Sequence, residues 1–113
     1  DLAMAKKITI PYNGKTYTLE FTREGVKRME AQGFRITEID NMPMTMITAL
    51  FNGAFEANHP AVKGATKEKI FGSLKSRKKL IQTLVEMYAD TYNTLFDDED
   101  EADEGNPGWG VTE

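Results

Sequence analysis

Cysteine is missing from all 113 residues, so disulfides and thiolate metal ligands are excluded and a reducing compartment is the natural setting. Histidine occurs once, at His59, and serine twice, at Ser73 and Ser76, which leaves little material for a Ser-His-acid triad. No apolar run approaches the roughly 18 residues of a membrane span, and no basic-then-apolar start resembles a signal peptide. Asn13-Gly14 and the glycines around Trp109 lie outside any strand-to-helix context that would cradle a phosphate. The expectation is a non-enzymatic cytoplasmic protein with no catalytic residue, no cofactor and no metal site. Met4-Ala-Lys-Lys reads as a natural start, with Asp1-Leu2-Ala3 an appended remnant.

What is present is a strong polarity of charge beneath a net value of −4. Residues 1–79 carry all 14 Lys and Arg against 8 acids, giving +6, whereas residues 80–113 carry 10 acids and no base, giving −10. A folded part followed by a charged tail is the reading, with a single domain over residues 4–96 and a disordered acidic tail over 97–113. The run Asp97–Glu104 lacks the spacing and glycine of a calcium loop, and solubilises.

The organising stretch is Pro43–Asn58, PMTMITALFNGAFEAN. At about 100° per residue, Thr45, Thr48, Asn52 and Glu56 share a narrow polar stripe, while Met46, Ile47, Leu50, Phe51, Ala54, Phe55 and Ala57 cover the rest. A helix apolar over most of its circumference needs neighbours on several sides. Pro43 suits its first position and Asn58-His59-Pro60 its stop, with His59 at the helix end, where a protonated imidazole suits the dipole.

Before it, residues 8–21 predict an antiparallel hairpin about a type I′ turn at Asn13-Gly14. Pairing outward sets Tyr12 opposite Lys15, Ile10 opposite Tyr17 and Ile8 opposite Leu19. Ile8, Ile10, Tyr12, Tyr17, Leu19 and Phe21 then share one face, and Thr9, Thr16, Thr18 and Glu20 the other. Pro11 places the first strand at an edge. Thr22 reads as the N-cap of a helix over 23–32 that turns Val26 and Met29 inward, with Phe21 and Val26 as a hydrophobic staple.

After the central helix, Thr66 reads as the N-cap of a helix over 67–74, and a longer helix follows over 77–96 with Leu80, Ile81, Leu84, Val85, Tyr88, Tyr92 and Leu95 along one stripe. A single continuous helix would hold Gly72 in its interior, and a break at Ser76 would set Arg77, Lys78 and Lys79 at a positive dipole end. The balance leans to a break. The fold class is therefore α+β, a hairpin packed on three or four helices.

Candidate contact residues come from three sets. Met42, Met44 and Met46 belong to a methionine-rich group suited either to core filling or to a surface that re-packs around partners. Lys75, Arg77, Lys78 and Lys79 form a basic cluster with Lys67 and Lys69, suited to an acidic protein segment or the chain's own tail. Trp109 is a lone aromatic in the tail, a docking element or an accident. A nucleic-acid-binding or regulatory module with an autoinhibitory tail is the alternative, disfavoured by the lack of a recognisable motif and by the tethered acids.

The order of pieces adds a resemblance. KKITIPYNGKTYTLEFTREGVKRME, then AFEANHP, then LVEMYADTYNTL are similar to a family of small phage and prophage proteins of Gram-positive hosts, the similarity covering nearly all of residues 4–96. That family resembles the tail assembly chaperones of long-tailed phages. Membership implies a non-enzymatic assembly factor that binds the tape measure protein, keeps its apolar helices soluble and helps tail tube subunits polymerise around it. It also implies a longer frameshifted product and self-association into rings or spirals, so a homo-oligomer is expected.

Overall fold

A computed structural model describes residues 6–96 and 106–113. The predicted acidic run, residues 97–104, lies outside the described residues, and residues 106–113 carry no regular secondary structure. The elements run β1 (Ile8–Tyr12), β2 (Lys15–Leu19), α1 (Arg23–Ala31), a 3-10 turn (Ile36–Glu38), α2 (Pro43–Gly53), α3 (Gly64–Ser73) and α4 (Arg77–Asn93).

The hairpin forms in the expected register, Ile8 with Leu19, Ile10 with Tyr17 and Tyr12 with Lys15. Asn13 and Gly14 take φ of 48° and 79°, the positive values a type I′ turn requires. Pairs alternate between exchanging ladder hydrogen bonds and pointing their backbone groups outward. Thr18 is of the outward kind: its N–H donates to His59 Nε2 at 2.9 Å and its carbonyl accepts from Asn58 Nδ2 at 3.2 Å. Pro11, two positions along the ladder from the Thr9–Thr18 pair, is outward too, so its missing N–H breaks no ladder bond and blunts the free edge of β1.

Thr22 caps α1 as expected, its hydroxyl accepting from Gly25 N–H at 3.0 Å. Phe21 and Val26, the two staple positions, are both buried. The apolar side of the hairpin closes over the helices through edge-on aromatic contacts, Phe21 with Tyr88 at 5.6 Å and Tyr17 with Phe55 at 5.9 Å between ring centres. At the centre stands α2, which meets α1, α3, α4 and the 3-10 turn and buries Met46, Leu50 and Phe51.

Three boundaries depart from expectation, the first for a tertiary reason. The central helix stops at Gly53 instead of Asn58, because the chain leaves the helical path to serve the outer edge of β2. Glu20 N–H donates to Ala54 O at 3.0 Å, and Asn58 and His59 bond Thr18. Glu56, read as part of the polar stripe, instead pairs with Arg28 at 2.6 Å. Gly53 is also a close approach: an added Cβ would lie 2.5 Å from Met29 Sδ.

Helix α3 starts at Gly64, with Lys63 as an extended N-cap that offers no side-chain bond, so Thr66 lies inside the first turn. It buries Ile70 alone. Leu74 is extended and Ser76 left-handed (φ 54°, ψ 43°), which separates α3 from α4. Helix α4 ends at Asn93, short of Phe96, tightening through i→i−3 bonds such as Phe96 N–H to Asn93 O at 2.9 Å. Its buried stripe is Leu84, Met87 and Tyr88, while Tyr92 and Leu95, expected inward, are exposed, uncovered by any element among the described residues.

Candidate functional site

Helix α2 has two unlike sides. Met46 and Leu50 point into the core, while Met44, Ile47 and Thr48 face outward, with Met44 86% exposed. From Asn41 to Phe55 the chain holds no charged residue. A part-exposed helix normally carries charge on its wet side. Charge depletion together with methionine is the composition of a contact surface that water covers only between encounters.

That outward side walls a groove of about 650 Å3. Pro43, Met44, Ile47 and Phe51 of α2 form one bank, Glu68 and Phe71 of α3 the other, and Ile81 of α4 closes one end. The Phe71 ring meets Phe51 edge-on at 5.0 Å, tying the second bank to the core. Polar atoms are few: Thr48 and Asn52 sit along the α2 bank and Glu68 opposite. Such a mostly apolar concavity with a few polar groups holds either a small ligand or the apolar side of a partner segment.

Cations stand beside the groove, whose own charged lining residue is Glu68. The Arg77 guanidinium lies 5.6 Å from the centre of the Phe71 ring. Arg77 and Lys78 stand four and three residues before Ile81, on the side of α4 that reaches the groove. They open α4 together with Lys79, and neither a side-chain cap nor a first-turn acid offsets them. Cations at a helix N-terminus oppose the dipole by about 0.3–1 kcal/mol each where exposed.

Lys67 is spent within the fold. Its ammonium reaches Asn52 O at 3.4 Å and lies 5.6 Å from the Phe55 ring centre, and desolvation pulls its pKa down against the raising influence of Glu56. It supplies a cation to the C-terminal end of α2.

Of the residues singled out from sequence, Met44 lines the groove and Met42, 49% exposed, precedes Pro43 at its mouth. Met46 does not belong: it is buried, and its sulfur accepts the Arg35 N–H at 3.4 Å. Lys75, Arg77, Lys78 and Lys79 are exposed, and Trp109 is 72% exposed in the tail, not gathered with the groove residues. Phe71, Glu68 and Ile81 were not singled out as contact residues; only the uncharged run from Asn41 to Phe55 points toward a surface of this kind.

A second exposed apolar set, Tyr92, Leu95 and Phe96, lies at the far end of α4. The cavity beside it, about 380 Å3, is walled by Arg23, Glu24, Lys27 and Glu30, and so lacks the uncharged bank that distinguishes the groove. The only histidine is engaged in the fold, its Nε2 accepting the Thr18 N–H.

The chain belongs to the family described as Domain of unknown function (DUF5055), which matches residues 4–112. No curated protein and no solved structure matches it. Among the described residues, no helix is long and apolar enough to cross a membrane.

Proposed function

We propose that this member of the DUF5055 family is a non-enzymatic tail assembly chaperone that acts in the cytoplasm of a phage-carrying cell. It lays an amphipathic helix of the tape measure protein into the groove between α2, α3 and α4. The observation that carries the reading is the uncharged, part-exposed α2, from which Met44, Ile47 and Phe51 line the groove. Helices dock in such grooves through apolar anchors at i, i+3, i+4 and i+7 spacing, and flexible thioethers fit more than one sequence. A single groove of this size gives reversible contact, which a chaperone needs when tail tube subunits take over its client. Self-association, with copies arrayed along a long client, suits the same role.

The test is co-expression with the tape measure protein encoded beside it. The chaperone keeps that protein in the supernatant and co-purifies with it, and the exposed-residue variant Met44→Glu/Thr48→Glu loses both effects while melting within a few degrees of wild type. A tape measure protein equally soluble without this chain, or bound equally by the variant, would refute the assignment. The exposed cations Lys75, Arg77, Lys78 and Lys79 favour a second reading, binding to nucleic acid. That reading requires DNA affinity that falls steeply with salt and rises on removal of residues 97–113; no binding at low salt by the shortened chain would remove it.

A further inference from the structure

We infer that the tail segment around Trp109 docks in the groove of its own chain, so that a client helix has to displace it. The inference rests on the groove being the client site and adds its regulation. Three observations carry it.

The first is chemical fit. Trp109 and Val111 are 72% and 77% exposed, an apolar pair that no other described residue covers. Asn106 Oδ1 accepts the Gly108 N–H at 3.3 Å, and Gly108 takes φ of 87°, a local turn immediately before the indole. The groove offers an apolar floor of about 650 Å3 with Phe51 and Phe71 along it, room for one indole and a small aliphatic group.

The second is charge. Residues 97–104 carry seven acids, directly before the segment, and the cations Arg77 and Lys78 stand beside the groove at the uncompensated N-terminus of α4. Attraction between them offsets the like-charge arrangement of that helix start.

The third is reach. From Ile81, at the groove, to Phe96, where the tail departs, is 15 residues, or roughly 22 Å of helical rise. The 12 residues from 97 to 108 can span ~40 Å at most, more than that distance. A tether long enough to close the gap makes the encounter intramolecular, so the chain's own tail outcompetes that of a second copy in dilute solution.

Trp109 is the only tryptophan, so intrinsic fluorescence of the full-length protein reports the segment directly. At low salt, emission is shifted to the blue and shielded from acrylamide. Both effects disappear in Met44→Glu/Thr48→Glu, which alters two exposed groove residues and spares the core, and both weaken at about 1 M salt, where the screening length falls to about 3 Å. Water-like emission in the wild type, or protection unchanged in the variant, would overturn the inference. Protection that rises with protein concentration between roughly 1 and 100 µM would hand the tail to a second copy and overturn docking within one chain. With the groove closed about nine-tenths of the time, Trp109→Ser/Val111→Ser binds a tape measure fragment about tenfold more tightly than wild type. Equal affinities would overturn displacement. Failure of both chains to bind would overturn the chaperone assignment, leaving the fluorescence to decide the docked tail by itself.

Discussion

Replacing His59 with alanine tests how the hairpin is held to the helices. Its Nε2 accepts the Thr18 N–H at 2.9 Å, and its ring stands edge-on to Tyr17 at 5.1 Å and to Phe55 at 6.4 Å between ring centres. Leaving a buried donor unpaired costs about 1–3 kcal/mol. Thr18 and His59 are only half-buried, so water recovers part of that and the lower half of the range applies. Lost edge-on contacts add about 0.5–1.5 kcal/mol, for a total near 2–3 kcal/mol. At about 4–8 °C per kcal/mol for a domain of this size, the melting temperature falls by about 8–24 °C. His59→Gln, whose side-chain oxygen accepts the same N–H, recovers roughly half of the loss. Thermal and urea unfolding followed by circular dichroism give the totals, and hydrogen exchange at the Thr18 amide locates the effect. A His59→Ala protein within about 0.5 kcal/mol of wild type, or one whose Thr18 amide stays as protected as before, would refute this account of the outer edge of β2.

Leu50→Ala, at a fully buried position of α2, loses about 2–5 kcal/mol in urea unfolding; a loss below about 1 kcal/mol would deny α2 its central place. Two glycine substitutions move in opposite directions. Gly53→Ala sets a Cβ 2.5 Å from Met29 Sδ and 3.0 Å from its Cγ, and the crowding, about 1–3 kcal/mol, exceeds the helix-propensity gain of up to about 1. Gly72→Ala meets nothing within 4 Å and stabilises by about 0.4–1 kcal/mol, so melting curves that move the same way for both would count against the packing of α1 on α2. For Tyr88, burial first and Glu30 second raise the phenol pKa. Above roughly pH 10, where an unfolded tyrosine ionises, the folded state holds the proton longer, so stability present at neutral pH is lost as pH rises. Tyr88→Phe removes that loss, and parallel stability profiles for the two proteins through the alkaline range would contradict it.

The parts legible in the sequence are those fixed by neighbours along the chain. The hairpin register follows from a turn dipeptide and an alternation confined to residues 8–21, and both agree with the structure. Separation of α3 from α4 is likewise local: Gly72 argues against one continuous helix, and a left-handed Ser76 makes the break despite the cations that follow it. What escaped depends on distant partners. The helical period of Pro43–Asn58 runs on past Gly53, yet Glu20 and Thr18, 34 to 41 positions earlier, need the carbonyl of Ala54 and the side chains of Asn58 and His59. The last turn of that periodicity, residues 54–58, yields to the unmet donors and acceptor of a strand edge. Met87 in place of Tyr92 and Leu95 in the buried stripe of α4 has the same origin, since α1 and α2 decide how far cover extends along that helix.

The groove was hidden for a related reason, because its banks come from three helices whose mutual placement no local pattern states. Periodicity placed Met46 among the apolar members of a helix greasy nearly all round, and could not say which members would face in. Fifteen residues without charge, Asn41 to Phe55, carry more information than the methionines within them. If α2 were buried on every side, the run would follow from burial alone. With Met44, Thr45 and Thr48 exposed, the same run sits on a surface where lysine or glutamate would cost nothing and aid solubility. A charge introduced there is therefore the discriminating perturbation: Thr48→Lys leaves stability within about 0.5 kcal/mol of wild type and weakens tape measure binding, whereas an unaltered affinity would make the uncharged bank incidental.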